Sequence, residues 1–318
     1  MSNFDITFGP VPSRRLGRSL GVNNIPPKIC SYSCIYCQVG RTDDLRIARR
    51  PFYAPETVLR EVEDRMRRLV ESGEAVDYLA FVPDGEPTLD SNLGRTIDLL
   101  RPLGVKTAVI SNSSLLWMES VRSDLSRADW VSLKVDAASA DVWRRVNRPH
   151  RGLKLPVILE ALFRFAGEYK GVLVTETMLV RGVNDSPEQV EETARLLARL
   201  RPARAYLSIP MRPPAEGWAV PPAADVLTMA RQAFSRHLDE VASLFDYEGD
   251  AFSFTGDAGE DLLNIIAVHP MREEAVRRFL EKAGADWSLI DDLVSRGRIR
   301  TAVHEGQRFY LRGVEKRS

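Results

Sequence analysis

Residues 19–37 read SLGVNNIPPKICSYSCIYC, a short apolar run followed by a loop that holds three cysteines. The apolar run predicts the first β-strand of the fold, and the cysteine loop comes directly after it. In a barrel of alternating strands and helices, the loops that follow the strands carry the active site. This stretch therefore predicts both the first strand of the core and the place of the functional site.

The pattern that begins here continues to about residue 238. Short apolar runs alternate with longer amphipathic stretches such as residues 55–71 and 187–200, which is typical of β/α units around a parallel sheet. Six candidate strands occur, at residues 19–23, 78–83, 105–111, 130–135, 172–180 and 203–209. Because eight units close a TIM barrel, we predict an α/β fold with a partial (β/α)6 TIM-type barrel, open on one side.

A second, smaller unit is predicted after residue 245. Before it, the proline-rich residues 211–222 predict a loop over the barrel mouth, followed by a helix to about residue 242. The later pattern has three helix-like stretches and two β-like runs, at residues 261–268, 272–282, 288–296, 299–304 and 307–311. We therefore predict a barrel over residues 1–242, a linker over 243–257 and a small C-terminal winged-helix-like domain over 258–318.

The composition is that of an ordinary globular protein. Apolar residues make up 44% of the 318 residues, while 44 basic side chains balance 44 acidic ones. No global field therefore draws the chain to nucleic acid or an anionic membrane, and any such partner needs a local patch. No apolar run approaches the roughly 18 to 20 residues of a membrane span. Without a signal-peptide pattern at the start, we expect a cytoplasmic protein with no membrane partner.

The only cysteines of the chain are Cys30, Cys34 and Cys37. Three cysteines this close together argue against a disulfide framework and point to metal or to catalysis. Three thiolates can hold three irons of a cubane cluster and leave the fourth iron without a protein ligand. Zinc is the alternative, although a structural zinc site takes four ligands. The histidines lie far from the loop in sequence, at His150, His237, His269 and His304.

The cysteine loop resembles that of the radical S-adenosylmethionine (SAM) superfamily, which has three cysteines with three and then two residues between them and an aromatic residue before the third. The resemblance implies one [4Fe-4S] cluster, SAM as cofactor and an external one-electron donor. It implies that Cys30, Cys34 and Cys37 bind the cluster and that Tyr36 contacts the adenine. In this family SAM chelates the unique iron, and an electron from the cluster cleaves it to a 5′-deoxyadenosyl radical.

The segment after the second predicted strand reads Phe-Val-Pro-Asp-Gly-Glu-Pro-Thr over residues 81–88. The superfamily carries a glycine-rich segment ending in Glu-Pro here, and this chain has Asp84 where glycine is usual. Glycine lets a backbone approach a ligand closely, and carboxylate or carbonyl oxygens can accept hydrogen bonds from the ammonium group of SAM. Gly85 and Glu86 are therefore predicted SAM contacts; a plain turn at the strand end is the alternative.

Polar residues at the ends of the next strands are further candidates. The period of two places Ser132, Lys134 and Asp136 on one face of the fourth strand, where they could bind the carboxylate and ribose of SAM. A buried ion pair or a solvated strand end is the alternative. Ser111 and Asn112, at the end of the third strand, are SAM candidates of the same kind.

Residues on the substrate side are harder to identify from sequence. Glu176 interrupts the apolar fifth strand and is predicted to contact substrate or SAM. Arg14 and Arg15 could reach a phosphate at the barrel mouth, although surface charge explains them equally well. Arg148 follows the fourth strand and is a candidate for lining the pocket, together with His150.

The opening residues 9–23, followed by the cysteine loop, resemble a bacterial and archaeal group related to the wyosine-base synthases, which remodel a guanine in transfer RNA. This chain has no further cysteines for the second cluster that those enzymes need, so the resemblance does not imply wyosine synthesis. We therefore expect a radical SAM enzyme whose substrate is an RNA base or nucleotide, or alternatively a protein or peptide. A zinc-binding winged-helix regulator is a third hypothesis.

The C-terminal domain is the predicted contact for such a macromolecule. Residues 258–318 contain eleven Lys or Arg and ten Asp or Glu, which is a near balance. Arg296, Arg298 and Arg300 nevertheless cluster at the predicted hairpin, where a winged helix can contact RNA. Solvated surface arginines are the alternative explanation. The sequence leaves the oligomeric state open.

Overall fold

The computed structural model describes residues 6–245, 252, 254 and 256–313. Its strands are β1 (Thr7–Ser13), β2 (Gly17–Val22), β3 (Ile29–Cys30), β4 (Asp44–Leu45), β5 (Tyr78–Phe81), β6 (Lys106–Ser111), β7 (Trp130–Lys134), β8 (Val172–Met178), β9 (Arg204–Ser208), β10 (Val241–Ser243), β11 (Met271–Arg272), β12 (Ile299–His304) and β13 (Gln307–Arg312). Its α-helices are α1 (Pro55–Glu71), α2 (Leu93–Leu100), α3 (Glu119–Leu125), α4 (Ala140–Asn147), α5 (Leu155–Glu168), α6 (Pro187–Ala198), α7 (Ala224–Ser235), α8 (Ala258–Val268), α9 (Glu273–Ala283) and α10 (Ser288–Ser295).

One eight-stranded sheet, in the order β1-β2-β5-β6-β7-β8-β9-β10, forms the partial barrel. The six predicted strands are β2 and β5 to β9, and they pair in parallel as neighbours. Two strands of this sheet were not predicted. β1 pairs antiparallel with β2 at one edge, and β10 extends the other edge in parallel with β9. The prediction of a helix to about residue 242 was wrong, because α7 ends at Ser235 and the chain then returns as β10.

Alternating side chains divide the sheet into an inner and an outer face. Ala80, Ala108, Trp130, Val174 and Tyr206 pack together inside the barrel. Leu16, in the turn between β1 and β2, joins this cluster and is almost fully buried. Because the turn precedes β2, it closes the amino-terminal end of the barrel and leaves the carboxyl ends of the strands as the open end.

The helices cover the outer face of the sheet. In α1 the buried residues Val58, Val62 and Leu69 recur at helical spacing, so one stripe of the helix packs onto the core. Pro55 stands in the first turn of this helix, where its missing N–H has no helical partner in any case. No helix in the described part of the chain is long and apolar enough to cross a membrane.

The C-terminal residues form a separate core. β11, β13 and β12 make a three-stranded antiparallel sheet, against which α8, α9 and α10 pack. The three helices and the hairpin that the sequence predicted are thus present, while their classification as a winged helix stays a prediction. The predicted linker, residues 243–257, and the last five residues of the chain fall partly or wholly outside the described residues.

Buried polar contacts attach this domain to the barrel. Arg65 of α1 lies 2.9 Å from Asp261 of α8, and both side chains are buried. The same guanidinium donates to the carbonyl of Gly9 on β1. On the other side, His304 Nε2 lies 3.0 Å from the carbonyl oxygen of Pro210. The domain therefore has a fixed place against the open end of the barrel.

Candidate functional site

A cavity of about 330 Å³ opens at the carboxyl ends of the strands, and Cys30, Cys34 and Cys37 all line it. The loop that holds them is fixed by its own turn and by a neighbouring segment. Cys37 N donates to Cys34 O, and Ile35 N donates to Val146 O at the end of α4. The predicted place of the cysteine loop, after the first parallel strand, is therefore correct.

The three thiols are partly buried. All three are free cysteines. Burial raises the pKa of each thiol, to about 12 for Cys34. A thiolate in such a place requires a bound cation, because a metal ion deprotonates the sulfur that ligates it. Two side-chain amides point at the sulfurs: Asn112 Nδ2 lies 3.5 Å from Cys30 Sγ, and Asn147 Nδ2 lies 3.4 Å from Cys34 Sγ.

This donor set fits an iron–sulfur cluster. Hydrogen bonds to the sulfurs are a feature of such clusters and tune their potential. In the described ranges, no three or more His, Cys, Asp or Glu side chains are grouped to hold a single metal ion. In a cubane each thiolate binds a different iron, so the sulfurs need not converge on one point.

Gly85, at the end of β5, lies against the cysteine loop. A Cβ atom built on it would stand 2.1 Å from the carbonyl oxygen of Ile29, so no larger residue fits without a shift. The same carbonyl accepts a hydrogen bond from Glu86 N. Gly85 is therefore needed for the approach of two protein segments, in addition to its place in the cavity lining.

Glu86 is buried, and both of its carboxylate oxygens accept hydrogen bonds from the protein. Oε1 accepts from Thr88 N at 3.1 Å and Ser111 Oγ at 2.8 Å, while Oε2 accepts from Asn112 N at 2.7 Å. The pKa of Glu86 is nevertheless raised, because burial outweighs these hydrogen bonds. Glu86 thus joins the end of β5 to the end of β6, which leaves mainly backbone oxygens of this segment for a ligand.

Asp84, the residue that stands in place of the usual glycine, is half-buried and lines the cavity. Burial raises the pKa of its carboxyl group to about 7, although Arg312 and Lys28 oppose the shift. Lys28 N also donates to the Asp84 carbonyl at 2.6 Å. This aspartate therefore lies at the junction of the cysteine loop and β13.

The predicted polar residues of β7 and β8 meet inside the barrel. Lys134 Nζ lies 3.0 Å from Glu176 Oε1 and 5.0 Å from the centre of the Tyr36 ring. Glu176 also accepts hydrogen bonds from Arg15 and from Ser208. Although burial alone would raise the pKa of Glu176, Lys134 and Arg15 lower it to about 2. An ionised carboxylate with two cations thus lines the lower part of the cavity.

Ser132 and Asp136 lie outside the cavity lining. Ser132 is buried in the barrel interior, and its Oγ has no hydrogen-bond partner within the described residues. Asp136 accepts from the Tyr36 hydroxyl, from Asn147 Nδ2 at 2.7 Å and from Met178 N at 2.8 Å. The structure therefore places Asp136 behind Tyr36, where it orients the ring, and its predicted contact with SAM stays a prediction.

The substrate-side candidates separate into two groups. Arg14 and Arg15 line the cavity. Arg148 instead lies on the outer side of the cysteine loop, where it pairs with Glu216. His150 is structural in part, since its backbone N donates to Ser31 O and its Nδ1 accepts from Gly152 N.

One wall of the cavity comes from the C-terminal domain. The sequence predicted this domain but not its place in the cavity wall. This wall consists of Phe252, His269, Pro270, Met271, Arg272 and Phe309. Arg212 connects it to the barrel, because its guanidinium donates to Gln38 Oε1 at 2.9 Å and lies 2.9 Å from His269 Nε2. Burial and the adjacent Arg212 hold the pKa of His269 well below its usual range, so the imidazole is a neutral acceptor.

The arginines at the predicted wing lie away from this cavity. Arg296 Nε lies 2.9 Å from Asp292 of α10, and Arg298 lies 3.7 Å from Glu260 of α8. Local pairing of this kind is what surface arginines commonly show.

Comparisons with known proteins give the following matches. Residues 24–197 match the family described as the radical SAM superfamily. The UPF0026 protein of Methanocaldococcus jannaschii is 44% identical over 314 residues, which cover 98% of this chain and 97% of that protein. The dual-specificity RNA methyltransferase RlmN of Anaeromyxobacter dehalogenans is 29% identical over 205 residues, which cover 60% of this chain and 53% of that protein. A solved structure of TYW1 with a lysine-pyruvate adduct bound has a TM-score of 0.55 and 20% identity, covering 70% of this chain and 74% of that chain.

Proposed function

The chain belongs to the radical SAM superfamily, and on this premise we propose that Cys30, Cys34 and Cys37 hold one [4Fe-4S] cluster beside a bound SAM. The observation that carries the proposal is the set of three thiols on one loop, lining one cavity, with amide donors aimed at two sulfurs. Members of this family use a [4Fe-4S] cluster and SAM, so a zinc-binding regulator is not favoured. When bound, the two cofactors supply a 5′-deoxyadenosyl radical through one-electron reduction of SAM.

The residues of this chain have separate tasks around these cofactors. Asn112 and Asn147 donate to cysteine sulfurs and so stabilise negative charge there. Tyr36, whose hydroxyl donates to Asp136, lines the cavity and would contact the adenine of SAM. Lys134 would supply a cation for the carboxylate of SAM, and Glu176 keeps the ammonium group of Lys134 oriented.

The backbone at the ends of β5 and β6 serves the ammonium group of SAM. The Asp84–Gly85 segment lines the cavity, and its carbonyl oxygens can accept from that group. Ser111 and Asn112 secure this segment through Glu86. We therefore propose that Glu86 holds the backbone of the SAM site in place and does not itself bind SAM.

For the substrate we propose an RNA base or a nucleotide. The name of the RlmN relative states an RNA substrate for that protein, and the resemblance to wyosine-base synthases agrees with it. The substrate faces the cavity between the cysteine loop and the C-terminal wall, and the basic residues Arg15 and Arg272 both line this cavity. Modification of a protein or peptide is the alternative outcome of the test.

The test is anaerobic reconstitution with iron and sulfide, followed by dithionite and SAM, with and without small cellular RNA. We expect about four irons and four acid-labile sulfides per chain and formation of 5′-deoxyadenosine that rises with RNA. The variant Cys34→Ala should lose both cluster and product. The matched control Arg164→Ala, on the exposed side of α5, should lose neither.

Two results would contradict the proposal in different ways. An intact cluster without any 5′-deoxyadenosine would remove the radical reaction. Product formation that ignores RNA but rises with a peptide fraction would keep the radical reaction and replace the substrate class.

A further inference from the structure

Residues 144–151 read RRVNRPHR and contain four arginines in a chain whose total charge is balanced. The segment runs directly beside the cysteine loop. Ser33 N lies within hydrogen-bond distance of the carbonyl oxygens of Asn147 and Arg148, and His150 N donates to Ser31 O. The chain therefore places a local basic segment against the loop that forms the functional site.

A small apolar cluster fixes what surrounds this segment. Ile35 of the cysteine loop, Val146 of α4, Val180 and Ala219 pack together, and Tyr36 lies against them. Three chain segments thus meet beside the site: the end of α4, the loop after β8 and the loop over the barrel mouth. The arginines that are neighbours of these apolar residues in sequence lie on the protein surface around the cluster.

Four arginines and one tryptophan form that surface, which we call the arginine rim: Arg41, Arg145, Arg148, Arg181 and Trp218. Arg145 Nη2 donates to Gly182 O at 3.0 Å, which connects α4 to the loop after β8. Arg181 N donates to Val220 O at 3.0 Å, which connects that loop to the loop over the barrel mouth. Arg41 and Arg148 both bond to Glu216 Oε1. Because Arg41 also lines the cavity, the arginine rim is continuous with its mouth.

The charge of the arginine rim is positive. Glu216 is only 11% exposed, and the hydrogen bond from Arg148 holds the pKa of its carboxyl group below the ordinary value. The carboxylate of Glu216 thus forms ion pairs with both Arg41 and Arg148. Arg145 and Arg181 form no ion pair with any carboxylate of the described ranges. The arginines of the rim thus outnumber the carboxylates that pair with them.

An exposed aromatic residue, Trp218, lies two positions after Glu216 in the same loop. The side chain of Trp218 is 54% exposed, and the position before it, Gly217, has no atom within 4 Å of a built Cβ. Arginines that track a backbone, with an aromatic ring on which a base stacks, are the two elements of single-strand recognition. An acidic peptide would use the charge but would leave the ring without a stacking partner.

The predicted wing is less suited to this role. α10, the third helix of its domain, carries Asp291 and Asp292 and no basic residue between its ends. Arg296 and Arg298 pair with acidic side chains of their own domain. Two of the three arginines at the predicted wing are thus offset by acidic partners, whereas the arginine rim on the barrel holds four arginines around Glu216.

We propose that the arginine rim binds a single-stranded segment of RNA, with a base stacked on Trp218 and phosphates on the arginines, and so directs the neighbouring nucleotide into the cavity. This inference rests on the proposed function for its substrate class. It assigns the contact to the barrel and leaves the C-terminal domain as the opposite wall of the cavity.

The test measures binding separately from chemistry. The anaerobically reconstituted full chain is titrated with a short, labelled single-stranded RNA of mixed sequence at several salt concentrations. The double variant R145A/R181A should flatten the slope of log affinity against log salt by about 1.4, since each phosphate contact contributes about 0.7 on single strands. The variant W218A should weaken binding on the order of tenfold, and W218F should restore most of it.

The matched control is the double variant R164A/R195A, two exposed arginines on α5 and α6. We expect the slope of this control to equal that of the parent. A parent-like slope in R145A/R181A, or a loss only in R298A/R300A, would overturn the proposal. A loss of affinity for a polyglutamate peptide, without a loss for RNA, would overturn it in favour of a protein partner.

Formation of 5′-deoxyadenosine from SAM, measured in the same samples both without RNA and with saturating RNA, separates the two proposals. Its absence in the parent chain would refute the proposed function while leaving the binding result standing. Its presence, together with unchanged RNA binding in the rim variants, would refute only the arginine rim.

Discussion

The substitution Gly85→Ala tests how closely the β5 segment and the cysteine loop must approach. The added methyl group would stand 2.1 Å from Ile29 O and 2.9 Å from Ile25 Cδ1. The backbone contact must lengthen by about 0.9 Å to reach even 3.0 Å, the distance below which Cβ contacts essentially do not occur. The shift would pull Ile29 O from its bond with Glu86 N, one residue before Cys30. We expect a loss of about 1–3 kcal/mol, as for an overpacked core.

The assay pairs urea unfolding of the metal-free chain with iron and sulfide content after reconstitution. Gly167→Ala is the control, because Gly167 lies in α5 with nothing within 4 Å of a built Cβ. This control should gain about 0.5–1 kcal/mol from helix propensity and keep its cluster. Equal unfolding midpoints and equal iron content in G85A and the parent would refute the packing argument.

Three further predictions concern charge. Glu176→Gln should reduce the free energy of unfolding at neutral pH, because Lys134 and Arg15 lower the pKa of Glu176 to about 2 and so stabilise its ionised form. In urea titrations, the difference in this free energy between the variant and the parent should shrink as pH falls from about 4.5 toward 2. The pKa of Asp84 is raised to about 7, so the free energy of unfolding of the parent should fall as pH rises from about 4 to 7. Asp84→Asn should abolish that fall. Identical plots of unfolding free energy against pH for the variant and the parent would contradict this prediction. Asp261→Asn leaves the buried charge of Arg65 without its ion pair and should cost about 3–5 kcal/mol in thermal or urea unfolding, whereas a change below about 1 kcal/mol would show a solvated contact.

The sequence predicted the elements whose signals are local. The helix over residues 55–71 was predicted to the residue, because a proline in its first turn and a regular apolar stripe both mark it. β1 was not predicted, because Pro10 and Pro12 interrupt the sequence pattern of a strand. An edge strand such as β1 nevertheless tolerates prolines. β10 has only three half-buried residues, too few to display a period.

The site divides in the same way. The cysteine loop and the segment after β5 carry motifs in consecutive residues, so both could be located from sequence. The pairing of Lys134 with Glu176 follows from strand register, which the period of two only suggested. Asn147 reaches the sulfur of Cys34, and the C-terminal wall reaches the cavity, through tertiary packing alone. No local pattern indicates a residue whose role depends on a distant segment.

The cavity takes its walls from distant parts of the chain. Arg15 lies in the first turn of the fold and Phe309 in its last described strand, yet both line the same space as the cysteines. During synthesis, the cysteine loop therefore leaves the ribosome long before its enclosure exists. Until the last strand is made and docked, the side of the cavity that the C-terminal wall covers stays open to solution. Iron delivery to the emerging chain thus competes with oxidation of unprotected cysteines, and the two could be compared by following cysteine oxidation in stalled and released chains.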